Sequence, residues 1–83
     1  MSIRRYNLNT YNIYEEGFCV MEGSGDARYI GTASGETFLD ACKNYIKETG
    51  YGEIDVDSDG NEYAKDWGCR WFPTLAEAQR SFG

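Results

Sequence analysis

The pattern of apolar and polar positions in the first quarter of the chain is typical of β-strands. Aromatic and β-branched residues dominate 11–14 and 18–21. These two runs flank Glu15-Glu16-Gly17, which predicts a hairpin turn between two strands. Residues 2–9 alternate more loosely and predict a strand before them. The N-terminal part of the chain is therefore expected to be all β.

A helical period follows. The stretch 22–26 predicts a turn and 27–32 a short strand after it. Apolar residues then recur at intervals of three and four, which places them on one face of a helix over 37–49. Thr37 is the predicted N-cap in a variant of the capping box, and Gly50 is the predicted stop. The apolar face consists of Phe38, Leu39, Ala41, Cys42, Tyr45 and Ile46.

The second half of the chain shows the same order of elements. Residues 53–57 alternate as a strand, and Asp59-Gly60 is typical of a hairpin turn. The stretch 62–72 predicts the return strand, with a bulge or bend at Gly68. A proline then ends the strand, and the capping box Thr74-Leu75-Ala76-Glu77 opens a short helix.

The two halves also match in sequence, 37 residues apart. When 22–45 is laid over 59–82, five positions are identical. Such self-similarity predicts a repeated hairpin-helix unit, with units at about 18–49 and 53–82. We therefore expect one α+β domain over 1–83, with an antiparallel sheet of about five strands and two helices packed on one face. The identical pairs are Gly23/Gly60, Ala27/Ala64, Gly31/Gly68, Thr37/Thr74 and Ala41/Ala78.

The composition favours a small cytoplasmic protein without catalysis. No apolar run reaches the ~20 residues that cross a bilayer, and Arg4-Arg5 precedes no apolar stretch of the kind found in a secretory signal. The chain has no histidine, which removes the usual general base and the Ser-His-Asp and Cys-His mechanisms. The three cysteines form no C-x-x-C pair, so neither a disulfide framework nor a zinc site is expected.

Charge limits the class of partner. The net charge of −6 repels nucleic-acid phosphates and membrane surfaces and attracts basic proteins. Direct binding to nucleic acid or membrane is therefore not expected.

The acidic stretch 55–66 has three interpretations. Its D-x-D-x-D-G core matches the start of an EF-hand calcium loop, although Glu62 replaces an apolar residue and no helix precedes it. The calcium ligands would be Asp55, Asp57, Asp59 and Asp66. The second interpretation is a hairpin with an acidic solvent face and Asp59-Gly60 at its tip.

The third interpretation is mimicry of nucleic acid. On a strand, Asp55 and Asp57 project from one face about 6.6–6.8 Å apart, close to the spacing of successive phosphates. Such a surface could dock into a basic groove, because arginine pairs bidentately with carboxylates. The candidate partner-binding residues are Asp55, Asp57, Asp59, Glu62 and Asp66, with Tyr63, Trp67 or Trp71 as aromatic anchor. A core position is the alternative for each tryptophan.

The chain resembles two groups of known proteins. Gly31-Thr32-Ala33-Ser34 before a helix, with Trp67-Gly68-Cys69-Arg70-Trp71-Phe72-Pro73-Thr74-Leu75-Ala76-Glu77-Ala78 later, loosely resembles the glycan-binding SPOR domains. The chain lacks their final strand and adds an N-terminal hairpin. In overall form it is similar to the anti-CRISPR and other anti-defence proteins of bacteriophages, which share no motif. That resemblance implies a stoichiometric inhibitor that occludes a DNA-binding or catalytic surface of a bacterial nuclease complex.

The sequence thus predicts a phage-type binding inhibitor in the host bacterial cytoplasm, without catalytic residues or cofactor. Its expected partner is a bacterial protein or ribonucleoprotein complex with a basic groove. The alternatives are a calcium-binding module and a structural phage protein, and the chain is expected to be a monomer or homodimer.

Overall fold

The computed structural model describes residues 8–20 and 23–82. A five-stranded antiparallel sheet has the order β4-β1-β7-β6-β5, and β2 and β3 form a separate two-stranded antiparallel sheet. With two helices, this confirms the predicted α+β class. The elements within the described residues are β1 Asn9–Glu15, β2 Phe18–Val20, β3 Gly23–Gly25, β4 Arg28–Gly35, α1 Phe38–Thr49, β5 Glu53–Val56, β6 Glu62–Asp66, β7 Cys69–Phe72 and α2 Leu75–Phe82.

Neither helix within these ranges is long and apolar enough to cross a membrane.

The first hairpin differs from the prediction. Strand β1 pairs with β4, from Asn9 opposite Gly35 to Glu15 opposite Arg28, and β2 pairs with β3 instead. The chain does not turn back at Glu16, because the Glu16 N–H donates to the Arg70 carbonyl (2.9 Å). The predicted turn at 22–26 is also wrong, since Gly23–Gly25 is a strand. Most of the strand predicted at 2–9 lies outside the described residues.

Helix α1 begins and ends where its capping residues predict. The Thr37 hydroxyl accepts the Asp40 N–H at 3.1 Å. Gly50 has a φ of 73° and donates its N–H to the Ile46 carbonyl at 2.7 Å, a left-handed cap that glycine adopts without strain. Ala41 and Cys42 of this helix are fully buried. The local sequence therefore determines the helix.

The core lies where α1 packs on the sheet. Its buried members are Ile13 of β1, Cys42 of α1, Ala64 of β6 and Trp71 of β7. The Trp71 ring contacts the Tyr45 ring edge-on, with centroids 5.5 Å apart, and stacks on Tyr51 at 6.0 Å. Trp71 thus joins three separate elements of the fold.

The return strand predicted at 62–72 is two strands. Trp67 and Gly68 have φ values of 53° and 79° and form a tight turn between them. Strand β6 then pairs with β7, with Lys65 opposite Arg70 and Asp66 opposite Cys69. Two consecutive residues with positive φ define a type I′ hairpin turn, so Gly68 marks a full reversal of the chain.

The two helix starts repeat, but the strands before them do not. Thr74 accepts the Glu77 N–H at 3.2 Å and donates its hydroxyl to the Glu77 carboxylate at 2.9 Å, as Thr37 caps α1. The strand before α1 is continuous, whereas the matching stretch 65–72 is broken by a turn. Helix α1 contacts β1, β4, β5 and β6, and α2 contacts β1, β4 and β7. The two-unit construction and the packing of both helices on one face remain predictions.

Candidate partner-binding surface

Trp67 is the most exposed large hydrophobic side chain of the described residues, at 94%. It occupies the first position of the β6–β7 turn with a φ of 53°. Type I′ turns strongly prefer asparagine, aspartate or glycine there. Glycine has no Cβ, and the short polar side chains of the other two hydrogen-bond locally, whereas other residues lose about 1–2 kcal/mol in the left-handed region. The turn therefore holds an aromatic ring in solvent at a position that disfavours it.

Trp71 has the opposite environment. It is 2% exposed, and its indole N–H donates to the Glu15 carboxylate at 3.1 Å. The turn at Trp67-Gly68 separates the two tryptophans, so they do not share an exposed face. Trp71 belongs to the core and is not accessible as an anchor.

Tyr63 is half-buried on β6. The Arg70 guanidinium lies over its ring, 4.6 Å from the centroid, and 5.7 Å from the centroid of Phe72. These cation–π contacts engage one face of the Tyr63 ring within the sheet.

The candidate acids lie on the β5–β6 hairpin, residues 53–66, which we call the acidic hairpin. It carries six carboxylates and one lysine, a formal charge of −5. In the register, Asp55 is opposite Tyr63 and Val56 is opposite Glu62. Because successive residues of a strand point to opposite faces, Asp55 and Glu62 project from different faces of the sheet. The five candidate acids therefore form no single ridge.

Asp55 is engaged on its own hairpin. Its carboxylate forms an ion pair with Lys65 (2.5 Å) and accepts the Val56 N–H at 2.7 Å. The hydrogen bond from Lys65, helped by the one from Val56, lowers the pKa of Asp55. Lys65 also lies 3.6 Å from Glu53. Lys65 thus forms ion pairs with two carboxylates of the edge strand β5.

Asp57 and Asp59 differ in role although they are two residues apart. Strand β5 ends at Val56, and the Asp57 carboxylate accepts the N–H groups of Asp59 (2.9 Å) and Asn61 (3.0 Å). Asp57 therefore lies beyond the strand on which its phosphate-like spacing from Asp55 was expected. Asp59 is exposed at the tip, where Gly60 has a φ of 85°.

The remaining two candidates face other elements. Glu62 forms an ion pair with Lys43 of α1 at 3.2 Å. Asp66 ends β6 beside Tyr51, whose pKa is raised to about 12 by burial and then by its hydrogen bond with Asp66. In the part of the chain that the structure describes, no three acidic or cysteine side chains form a metal-binding group. The four carboxylates of the calcium alternative are not gathered around one point.

The sequence interpretation missed Glu15. Its carboxylate is buried, with 5% side-chain exposure, and receives hydrogen bonds from Arg28 (3.2 Å), Tyr51 (3.4 Å) and Trp71 (3.1 Å). The attraction of Glu15 raises the pKa of Arg28. Strand alternation could have found it, because Glu15 follows the buried Ile13 by two residues and therefore faces the core.

Glu16 is a second carboxylate with a structural role. It accepts the Arg70 N–H at 2.7 Å and the Ser81 hydroxyl at 2.6 Å, which links β1 to β7 and α2. Together with Glu15 and Asp66, Glu16 makes the end of the sheet that carries Trp67 acidic. Burial raises the pKa of the Cys69 thiol, and the negative charge of these three carboxylates raises it further. The exposed ring is thus presented next to negative charge.

Comparison with known proteins finds no family model, no curated protein and no solved structure that matches the chain.

Proposed function

We propose that the chain is a non-catalytic binding protein that inserts Trp67 into a basic partner. On this proposal the partner is a bacterial defence nuclease complex, which the chain inhibits by occluding a nucleic-acid-binding groove in the manner of anti-CRISPR proteins.

The exposure of Trp67 is the observation that carries the proposal. A tryptophan that is 94% exposed contributes little to the stability of its own domain, and its φ of 53° costs stability. Strained residues occur where function requires them. Tryptophan is also one of the residue types enriched among binding hot spots. An intermolecular contact explains both the exposure and the strain.

Charge favours a basic partner. The acidic hairpin carries −5 of the net charge of −6, and its carboxylates cover both faces of β5 and β6 together with the tip. The surface therefore attracts a cationic groove from several directions instead of matching one strand of phosphates. Such attraction mainly raises the association rate and is weakened by salt.

The test is capture of partners from bacterial lysate at about 50 mM and about 500 mM NaCl, followed by titration against the recovered complex. We expect a nucleic-acid-processing complex at low salt, reduced recovery at high salt, and loss of its activity at one equivalent of protein. Recovery of nothing, or of partners indifferent to salt, would argue for a structural role.

A matched pair of variants isolates the hairpin charge. Glu53→Gln/Asp55→Asn/Asp59→Asn removes three charges from the acidic hairpin and leaves Asp57, which holds the turn. Asp26→Asn/Glu36→Gln/Glu48→Gln removes three charges from exposed positions elsewhere. We expect weaker binding from the first variant only. Equal binding by both would contradict a docking role for the hairpin, because net charge is the same in the two.

A further inference from the structure

A pocket of about 280 Å³ opens between α1, β6 and β7. Phe38, Leu39 and Cys42 of α1 form one wall, and Trp71, Phe72 and Pro73 form the other. Its volume is just below the ~300 Å³ at which sites for drug-sized ligands begin. The pocket is therefore suited to a single side chain, and its lining does not include Trp67.

Two carboxylates join the apolar walls. Glu62 of β6 and Glu77 of α2 line the pocket, and Arg70 is the basic residue of its lining. The Arg70 guanidinium is held over the rings of Tyr63 and Phe72. The lining holds two acids and one base, and Lys43 lies just outside it, 3.2 Å from Glu62. A cation in the pocket would therefore pair with Glu77 and compete with Lys43 for Glu62.

Both carboxylates can accept a new partner. Glu62 is 48% exposed and pairs with the exposed Lys43, and such a surface pair is worth at most about 1 kcal/mol. The capping box occupies one oxygen of the Glu77 carboxylate, which accepts the Thr74 hydroxyl. Replacing the Lys43 ammonium at Glu62 therefore costs little.

We propose that this pocket binds an arginine side chain of the basic partner. The apolar walls cover the aliphatic part of the side chain, and Glu62 and Glu77 pair with its guanidinium. Arginine fits better than lysine because its planar group stacks on aromatic rings and binds carboxylates bidentately. Arg70 already places a guanidinium over the Phe72 ring in this way. The inference deepens the proposed function by naming one side chain of the partner.

The test uses N-acetyl-arginine amide as probe and the two indole N–H resonances as reporters. In a ¹⁵N–¹H titration of the full chain, we expect a saturable shift of the Trp71 indole and of the Ala64 amide, with no shift of the Trp67 indole. N-acetyl-norleucine amide, which has no charge, should bind at least about tenfold more weakly.

Glu62→Gln/Glu77→Gln is the informative variant. Glutamine preserves the shape of the pocket and the capping box of α2, so the fold should be retained. We expect the probe to bind at least about tenfold more weakly to this variant, and Glu48→Gln to bind it as wild type does. An unchanged dissociation constant, or no saturable shift of Trp71 in wild type, would overturn the inference.

The two proposals fail separately. If wild type captures a basic complex and the Glu62→Gln/Glu77→Gln variant captures it equally well, the proposed function stands and the arginine pocket does not. If the probe binds as expected but no complex is recovered, the pocket stands and the proposed inhibitor function does not.

Discussion

Trp67 and Glu15 are two residues whose environments run against their usual preferences. Trp67 is 94% exposed in a turn with positive φ, while the Glu15 side chain is 5% exposed among aromatic rings. The buried carboxylate of Glu15 is stabilised within the domain by three hydrogen bonds, from Arg28, Tyr51 and Trp71. Within the described residues no comparable contact stabilises the exposed ring of Trp67, which is why we assign this residue to binding.

Replacement of Trp67 by asparagine should stabilise the domain. Asparagine tolerates a φ near 53° and is favoured at this position of a type I′ turn. We expect the free energy of unfolding to rise by about 1 kcal/mol, which corresponds to about 4–8 °C in Tm for a domain of this size. Trp67→Ala is the control, because alanine lacks the short polar side chain whose local hydrogen bonds let asparagine tolerate the left-handed region, so it should bring no comparable gain. A loss of stability in Trp67→Asn would show that the ring packs within the fold.

Cys42 should make stability depend on alkaline pH. Burial raises the pKa of its thiol from 9.0 to about 12. The unfolded thiol therefore ionises above pH 9 while the folded one stays protonated, so stability is complete below pH 9 and decreases as the pH rises toward 12. The difference in unfolding free energy between wild type and Cys42→Ala should narrow by about 1.4 kcal/mol between about pH 8 and pH 10. A constant difference in urea titrations would mean that the thiol is accessible to water.

At the scale of elements, the contact of α1 with β4 depends on two glycines with different neighbours. A Cβ on Gly31 would lie 2.5 Å from the far end of the Tyr45 side chain, which can shift at the cost of its hydrogen bond to the Ile30 carbonyl. A Cβ on Gly35 would clash with the backbone of Asp40 and Ala41 at the start of α1, which cannot move without the helix.

Gly35→Ala should therefore be the more damaging substitution. We expect a loss of about 2–3 kcal/mol for Gly35→Ala and of about 1 kcal/mol or less for Gly31→Ala, measured by urea unfolding. The reverse order would place the close approach of α1 at Tyr45 instead of at the helix start.

The β5–β6 turn offers a second comparison. The Asp57 carboxylate accepts two backbone N–H groups, whereas the Asp59 side chain is exposed at the tip. Asp57→Ala should cost about 1–2 kcal/mol of unfolding free energy, and Asp59→Ala should change it by less than about 0.5 kcal/mol. Similar effects in thermal unfolding would refute the structural role of Asp57.

The sequence was sufficient for elements that local contacts determine. Helix α1 follows from its apolar period and from caps at Thr37 and Gly50, which act within four residues. The partner of β1 could not be predicted, because Asn9 pairs with Gly35 and the nearer β2 offers an equally strand-like pattern. The alternating positions of Trp67, Cys69 and Trp71 suggest one continuous strand. They could not reveal the two-residue turn at 67–68, because tryptophan is unusual at the first position of such a turn. The sequence also does not show where β5 ends or how β5 pairs with β6, so it suggested that the acids of 55–66 form one ridge.

At the scale of the whole molecule, side chains cover parts of both sheet edges. On β4, the Ile30 carbonyl accepts the Tyr45 hydroxyl (3.1 Å) and the Ser34 carbonyl accepts the Asn44 amide (2.8 Å). On β5, the Val56 N–H is bound by Asp55. Such covering opposes edge-to-edge pairing of sheets. It favours a monomer that binds through side chains, with Trp67 and the acidic hairpin as its exposed features.

The most direct test of the central claim compares partner capture by wild type, Trp67→Asn and Tyr29→Thr at low salt. Tyr29 is 55% exposed on the edge strand β4, so its replacement removes another surface aromatic ring without altering the turn. If Trp67 is the anchor, Trp67→Asn should fold at least as stably as wild type and lose the captured complex, while Tyr29→Thr retains it. Retention of the complex by Trp67→Asn would contradict the account.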